Sequence, residues 1–285
     1  MKTVLQTIQS GTPYLEKAGV ESPRLNMEHL LAHVMGCKRM DLYLRFNEPL
    51  EEKILEPLRD LTRRRAKREP LQHLLGTVEF MGREFKSDAR ALIPRPETEE
   101  LVEKILAHYK KGSLPAPTKI LDMGTGSGVI GLSLAHAFPD ARATLADVSP
   151  DALALAQENA EKTALPGGRA GFVLTNLFQT LTGGPFDLMV ANLPYIAAEE
   201  ILTLDPEVRR DPVLALDGGP VGTEIIVDFL SQLLPHAGPG ALIALEIGAG
   251  QSDALLPVME HSGLRDARSI SDYSGRDRFL FATAP

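Results

Sequence analysis

Only one cysteine, Cys37, occurs in the 285 residues. That excludes a disulfide framework or multi-cysteine metal cluster within the chain, leaves Cys37 expected to be inert, and makes a reducing cytoplasm the expected compartment. No apolar run approaches the roughly 18–20 residues of a membrane span, and the opening "MKTVLQTIQSGTPYLEK" has none long enough for a secretory leader. A soluble protein without membrane contact follows. No Gly-Lys-Ser/Thr follows a glycine loop, so a P-loop triphosphate site is excluded. Aromatic-studded basic stretches are missing too. Formal charge is −8 overall, +3 over residues 1–90 and −11 over 91–285, an acidic balance that argues against direct nucleic-acid binding. His29 and His33 lie four apart but lack the glutamate of a zinc-protease helix, so packing is expected of them and no metal site.

What is present falls into two styles of sequence. Residues 1 to about 74 read as helical: "SPRLNMEHLLAHVMG" has Ser22 as N-cap, Pro23 at the first helical position, Leu25, His29, Ala32 and His33 near helical spacing, and a stop at Gly36. "EEKILEPLRDLTRRRAKREP" is a second amphipathic run ending at Pro70. Its basic cluster, Arg63 to Arg68, reads either as a solvated helix face or as a surface for an anionic partner. The period then changes. "TVEFMGREFKSD" alternates around Met81-Gly82 as a β-hairpin, a helix starts near Glu97 with acids in its first turn, and "GSLPAP" is a linker.

From there strands and helices alternate. Strands are expected at about 118–123, 142–147, 170–174, 186–191, 241–246, 266–271 and 278–283. "DYSGRD" is too short for a parallel crossover, so the seventh strand runs antiparallel. The expected fold is α/β: a seven-stranded Rossmann-like sheet with an antiparallel last strand, of the kind associated by analogy with methyltransferases. The expected domains are 1–74 (helical), 75–95 (hairpin linker) and 96–285 (catalytic).

"ILDMGTGSGVIGLSLA" places a strand ahead of Gly124, Gly126 and Gly128 and a helix behind them. Glycines at such a bend let a ligand approach the backbone and expose helix N-terminal N–H groups. Asp147 ends the next strand, 23 positions after Gly124, where an acid accepts from ribose hydroxyls in nucleotide-binding sheets. The run G-T-G-S-G departs from the dinucleotide pattern, and Asp122 precedes it. This set suits S-adenosylmethionine, whose cationic sulfonium and amino groups want acidic and carbonyl neighbours rather than a phosphate cradle. Asp122, Gly124, Thr125, Gly126, Ser127, Gly128 and Asp147 are the expected cofactor residues, with Asn192 at the end of the fourth strand beside them. In "TNLF", Asn176 is expected at the adenine amine and Leu177 on the ring face. A tight glycine turn, with Asp147 capping the helix after Ser149-Pro150, is the alternative without a ligand.

"ANLPYI" closes the fourth strand at the carboxyl edge, where open α/β sheets bind ligands. Asn, any residue, Pro and an aromatic at this place resemble the signature of methyltransferases acting on planar nitrogen. Such nitrogen is a poor nucleophile because its lone pair is delocalised; in an amide the resonance underlies a rotation barrier of roughly 18–20 kcal/mol. Two acceptors, the Asn192 side-chain oxygen and a backbone carbonyl of Leu193 or Pro194, would each take one N–H bond and stabilise the charge that develops on nitrogen. Tyr195 is expected to cover the planar group. The motif leaves a glutamine amide and an adenine amine both open.

Four segments narrow the choice. "EPLQHLLGTVEFMGREFKSDARALIPRPETEELVE" (69–103), "ALDGGPVGTEII" (215–226), "LEIGAGQSDAL" (245–255) and "DYSGRDRFLFA" (272–282) resemble, in order, the PrmC/HemK family of methyltransferases that modify peptide chain release factors. The resemblance covers nearly the whole chain. It implies methylation of the glutamine in a Gly-Gly-Gln loop from S-adenosylmethionine, with Gly124 to Gly128 and Asp147 on the cofactor and Asn192, Leu193, Pro194 and Tyr195 on the glutamine. It implies release factors as partners, docked by the helical domain through its basic cluster, and a monomeric enzyme. Arg95 to Glu99 would shape the entrance. The family's usual proline is replaced here by Leu193, and Asn176 stands where many relatives have Asp. Asn-Leu-Pro-Tyr is similar to ribosomal RNA adenine dimethyltransferases, so an adenine methyltransferase acting on rRNA or DNA is the alternative.

Overall fold

The computed structural model describes residues 2–110 and 115–285. The linker expected over 112–117 lies partly outside the described residues. The chain divides into two compact units, one of Met1–Thr77 with Asp205–Arg210, the other of Val78–Leu204 with Asp211–Pro285.

The smaller unit is built on α1 (Val4–Lys17), α2 (Pro23–Met35), α3 (Glu52–Ala66) and the short α4 (Leu71–Leu75). Thr3 and Gln6 form a reciprocal capping box on α1. Pro23 opens α2 and Gly36 closes it at φ 62°. Ser22 holds the cap position but makes no side-chain cap bond. Asn26 instead ties down the chain entering the helix, its Nδ2 donating to the carbonyls of Glu21 (2.9 Å) and Ser22 (3.1 Å). The buried face of α2 only partly follows the expected stripe: Ala32 is inside as expected, but so are Met27, Leu30 and Leu31, whereas Leu25 is 41 % exposed and His33 is exposed. Three long apolar side chains remove more apolar surface from water than one leucine and two histidines, and they set the helix rotation.

Part of the basic cluster is paired internally, while Arg63, Arg64 and Lys67 stay exposed. Buried Arg65 donates to Asn26 Oδ1 (2.8 Å) and Glu207 Oε1 (2.9 Å), and Arg68 also grips Glu207. Arg64 forms a two-pronged pair with Glu69, and Arg63 lies 3.7 Å from Asp60. The guanidinium groups find carboxylates inside their own unit, which a linear reading of charge does not reveal.

The larger unit holds a seven-stranded sheet. Its strands are β3 (Lys119–Met123), β4 (Arg142–Asp147), β5 (Ala170–Leu174), β6 (Phe186–Asn192), β7 (Ala237–Glu246), β8 (Arg265–Ser271) and β9 (Asp277–Thr283), in the order β5-β4-β3-β6-β7-β9-β8. β9 runs antiparallel to both neighbours, as the short connection requires. Alternation along the strands feeds two cores: Ile120, Leu188 and Val190 face one side, and Leu121, Met189 and Ala191 the other. Helices α5 (Pro96–Lys110), α6 (Val129–Ala137), α7 (Pro150–Lys162), α8 (Glu224–Gln232) and α9 (Ser252–His261) connect and cover them. The chain order reverses between β3 and β6, which makes their carboxyl ends a topological switch point.

The hairpin β1 (Thr77–Phe80) and β2 (Arg83–Lys86) turns at Met81-Gly82, φ 50° and 70°, the paired positive values of a tight hairpin. From Val78 onward it is part of the larger unit, with Phe80 and Phe85 in the sheet's core. Asn159 of α7 clamps it. Its Oδ1 accepts from Lys86 N (2.6 Å), and its Nδ2 donates to Lys86 O (3.2 Å) and to Ser127 O (2.9 Å) in the glycine loop.

Candidate active site

At the switch point lies a cavity of about 400 Å³. It is framed by the glycine loop after β3, Asp147 of β4, Thr175 to Leu177 after β5, Asn192 to Pro194 at the end of β6, the stretch from Arg90 to Thr98, and Ile225 and Asp228 of α8. All of these residues belong to the larger unit.

The glycine loop is shaped by its own backbone. Gly124 N and Thr125 N donate to Ala146 O (2.8 and 3.0 Å), and Gly128 N donates to Thr125 O (2.8 Å). Gly124 has φ 70°, and a Cβ there would stand 2.9 Å from Leu193 Cδ2. The leucine in the family's proline position thus packs over the first glycine, and both line the cavity with Thr125, Gly126 and Ser127. Gly128 does not line it. A Cβ at Gly128 would meet Ala156, Leu132 and Leu145 at 3.0–3.1 Å, so this glycine serves close packing of α6.

Asp147 borders the cavity with both oxygens oriented: Oδ2 accepts from Gly126 N (2.8 Å) and Oδ1 from Ser149 N (2.9 Å). Burial raises its pKa against those bonds. Asp122 departs from expectation. It is fully buried, away from the cavity, with Oδ2 accepting from Thr125 Oγ1 (2.6 Å) and Gly131 N (2.8 Å). Burial pushes it up to about 6, with the two hydrogen bonds opposing. It braces the loop from beneath instead of lining the cofactor space, because the alternation of β3 turns it into the sheet-helix layer. Asn176 and Leu177 line the cavity, and Leu177 adopts φ 49° with its carbonyl accepting from Thr175 Oγ1 (3.0 Å).

The Asn192–Tyr195 turn divides its members. Asn192, Leu193 and Pro194 line the cavity, and Tyr195 does not. The partly buried Tyr195 ring packs against the core, its hydroxyl donating to Glu246 Oε1 (3.2 Å) and its face 6.0 Å from the Arg278 guanidinium. The sequence places this ring over the planar substrate group; in the structure it lies outside the cavity lining and holds the turn through Glu246. Burial raises its pKa, as does Glu246.

The support of this turn was not foreseen. Glu246 is the register partner of Asn192 on the adjacent strand. Thr98 Oγ1 donates to Glu246 Oε2 (2.8 Å) and accepts from Asn192 Nδ2 (3.3 Å). Burial raises Glu246 to about 7, against hydrogen bonds from Thr98 and Tyr195. Gln251 Nε2 donates to Tyr195 O (2.9 Å) while its Oε1 accepts from Gly248 N (2.8 Å). A Cβ on Gly218 would sit 2.7 Å from Pro194 O, and one on Gly222 2.6 Å from Tyr195 O. Arg95 donates to buried Asp211 (2.7 Å), tying the "IPRPETE" segment to the chain that follows the turn. An acid closing the apolar run "ALIALE" was the available signal for Glu246; nothing local marked Thr98.

Comparison with known proteins adds ancestry. The PrmC N-terminal domain model matches residues 6–76 and the methyltransferase small domain model residues 100–205. The chain is 39% identical over 283 residues to the release factor glutamine methyltransferase of Geobacter sulfurreducens, covering 98% of this chain and 95% of that one. It is 40% identical to that of Moorella thermoacetica, covering 98% of each. Among solved structures, a T. thermophilus 16S rRNA N2 G1207 methyltransferase in complex with AdoMet and guanosine superposes with a TM-score of 0.53 at 18% identity, over 73% of this chain and 50% of that chain. That likeness shows a shared fold.

Proposed function

This chain belongs to the release factor glutamine methyltransferases, and from that membership we propose that it transfers a methyl group from S-adenosylmethionine to the side-chain amide nitrogen of the glutamine in the Gly-Gly-Gln loop of a peptide chain release factor. The observation that carries the reading is the Asn192 amide: its nitrogen is engaged by Thr98, which leaves its oxygen as an acceptor in a cavity shared with the glycine loop.

The cofactor fits the donor set. Gly124 to Ser127 give a backbone surface without side-chain bulk at the glycines, Asp147 keeps lone pairs for ribose hydroxyls, and Asn176 with Leu177 borders the adenine end. Gly128 and Asp122 shape the loop from outside. When bound, the cofactor supplies an electrophilic methyl on a sulfonium.

The remaining chemistry belongs to the chain. Asn192 Oδ1 and the carbonyl of Leu193 or Pro194 each accept one amide N–H, directing the nitrogen lone pair out of conjugation and stabilising the positive charge that builds there. The Tyr195 carbonyl is held by Gln251, so it stays part of the scaffold. No general base is required, since a methylated amide cation releases its proton readily. In this reading the enzyme is cytoplasmic, monomeric and acts on protein without direct nucleic-acid contact. Its acidic balance supports the absence of direct nucleic-acid contact, and among the described residues no helix is long and apolar enough to cross a membrane. The adenine alternative has less support, because the full-length relatives carry the glutamine activity in their names and the rRNA enzyme shares only the fold.

The test is incubation of the protein with methyl-labelled S-adenosylmethionine and purified release factor, wild type or with its loop glutamine replaced, followed by mass spectrometry. Label on that glutamine, lost on its replacement, is expected. Label in ribosomal RNA or DNA and none in release factor would refute it.

A further inference from the structure

A primary amide has two ends of nearly equal size and opposite hydrogen-bonding character, so an active site that uses the oxygen of Asn192 must prevent the amide from turning over. A turned amide would present N–H donors to a substrate nitrogen whose own hydrogens need acceptors. The structure contains a device suited to this. Thr98 Oγ1 lies 2.8 Å from Glu246 Oε2 and 3.3 Å from Asn192 Nδ2. A threonine hydroxyl has one proton. Donated to a carboxylate, it leaves only lone pairs toward Asn192, which can meet the amide nitrogen favourably and the amide oxygen only with repulsion.

We propose that Thr98 and Glu246 are positioning residues which, acting in series, hold the Asn192 amide with its oxygen toward the cavity; the inference rests on the glutamine methyltransferase reading above. The relay is well supported on each side. Glu246 is 1% exposed, pairs in register with Asn192 across β6 and β7, and accepts a second bond from Tyr195 (3.2 Å). Its charged surroundings are Arg278 of β9, which favours the carboxylate, and Glu97 of α5, which opposes it. Thr98 is 3% exposed, so water does not compete for its proton. The carboxylate predominates above about pH 7, and the measurement belongs at pH 8.

The experiment compares Thr98→Val, which removes the hydroxyl at nearly constant shape, with Thr98→Ser, which restores it. Methyl transfer to release factor at saturating cofactor is measured with the dissociation constant of S-adenosylmethionine. The side-chain amide resonance of Asn192, assigned by its loss in Asn192→Asp, is followed by NMR in parallel. In Thr98→Val, kcat should fall roughly ten- to hundredfold, the range for loss of a supporting hydrogen bond, with cofactor affinity within about twofold. The Asn192 resonance should move. Thr98→Ser should recover kcat to within about threefold and return the resonance. Wild-type kcat and an unmoved resonance in Thr98→Val would overturn the inference, as would a loss of kcat that serine does not rescue. If the wild type fails to methylate release factor, the functional reading has failed, and the resonance still decides whether Thr98 orients Asn192.

Discussion

Gly218 stands in "ALDGGPVG", far from the glycine loop in sequence, yet a single methyl group there should disable catalysis while leaving the cofactor site intact. A Cβ added to Gly218 would meet Gly222 O at 2.7 Å, Pro194 O at 2.7 Å and Tyr195 Cα at 2.8 Å. All three are backbone atoms, so no side chain can swing aside. Carbon needs about 3.5 Å or more to a non-bonded heavy atom, and the turn carrying the proposed acceptor carbonyl must therefore retreat by more than roughly half an ångström. Misplacement of about 1 Å costs a reaction on the order of a hundredfold, so Gly218→Ala should lose about ten- to hundredfold in kcat. Overpacking adds a stability loss of about 1–3 kcal/mol. Methyl transfer to release factor, cofactor affinity by calorimetry and a denaturant titration form the assay. Gly171→Ala is the control, since a Cβ there meets nothing within 4 Å. Wild-type kcat in Gly218→Ala, or cofactor affinity reduced as strongly as kcat, would refute the idea that this glycine fits the acceptor turn.

Asn192→Ala should reduce kcat by about 10²–10³ while cofactor affinity changes little, as expected when a preorganised dipole is deleted; kinetics at saturating cofactor test this. Asp147→Ala should weaken S-adenosylmethionine binding by at least tenfold by calorimetry, because hydrogen bonds to a charged group contribute about 1.5–3 kcal/mol, whereas Asp122→Asn, away from the cavity, should change it by less than about threefold. Arg65→Ala should destabilise the helical unit by about 1–3 kcal/mol in urea, since it strips a donor from Asn26 and one of two guanidinium partners from Glu207, which keeps Arg68. Glu246 and Asp122 both titrate higher folded than free, at about 7 and about 6. The folded state thus holds protons that the unfolded chain has released, and these two groups make stability decline as pH rises from about 4 through 7. Glu246→Gln should flatten part of that slope in denaturation series across pH.

Short apolar runs bounded by glycine, proline and polar residues marked all seven strands of the large sheet to within a few residues, because the central strands of a doubly wound sheet are buried on both faces and the local sequence records that burial. The brevity of "DYSGRD" dictated the reversed strand through chain geometry alone. The glycine loop, Asp147 and the Asn192–Pro194 turn were legible for the same reason: they are short segments whose backbone demands appear in their own residues. Facing directions were another matter. The partners of Tyr195, Asp122 and Arg65 come from elsewhere in the chain: Glu246 for Tyr195 and Glu207 for Arg65, with Gly131 at the head of the next helix joining Thr125 on Asp122. Thr98 meets Glu246 across 148 residues of chain, and only the register of β6 on β7 and the seating of α5 bring a hydroxyl proton to the carboxylate beside Asn192, where the end of the amide facing the cavity is fixed.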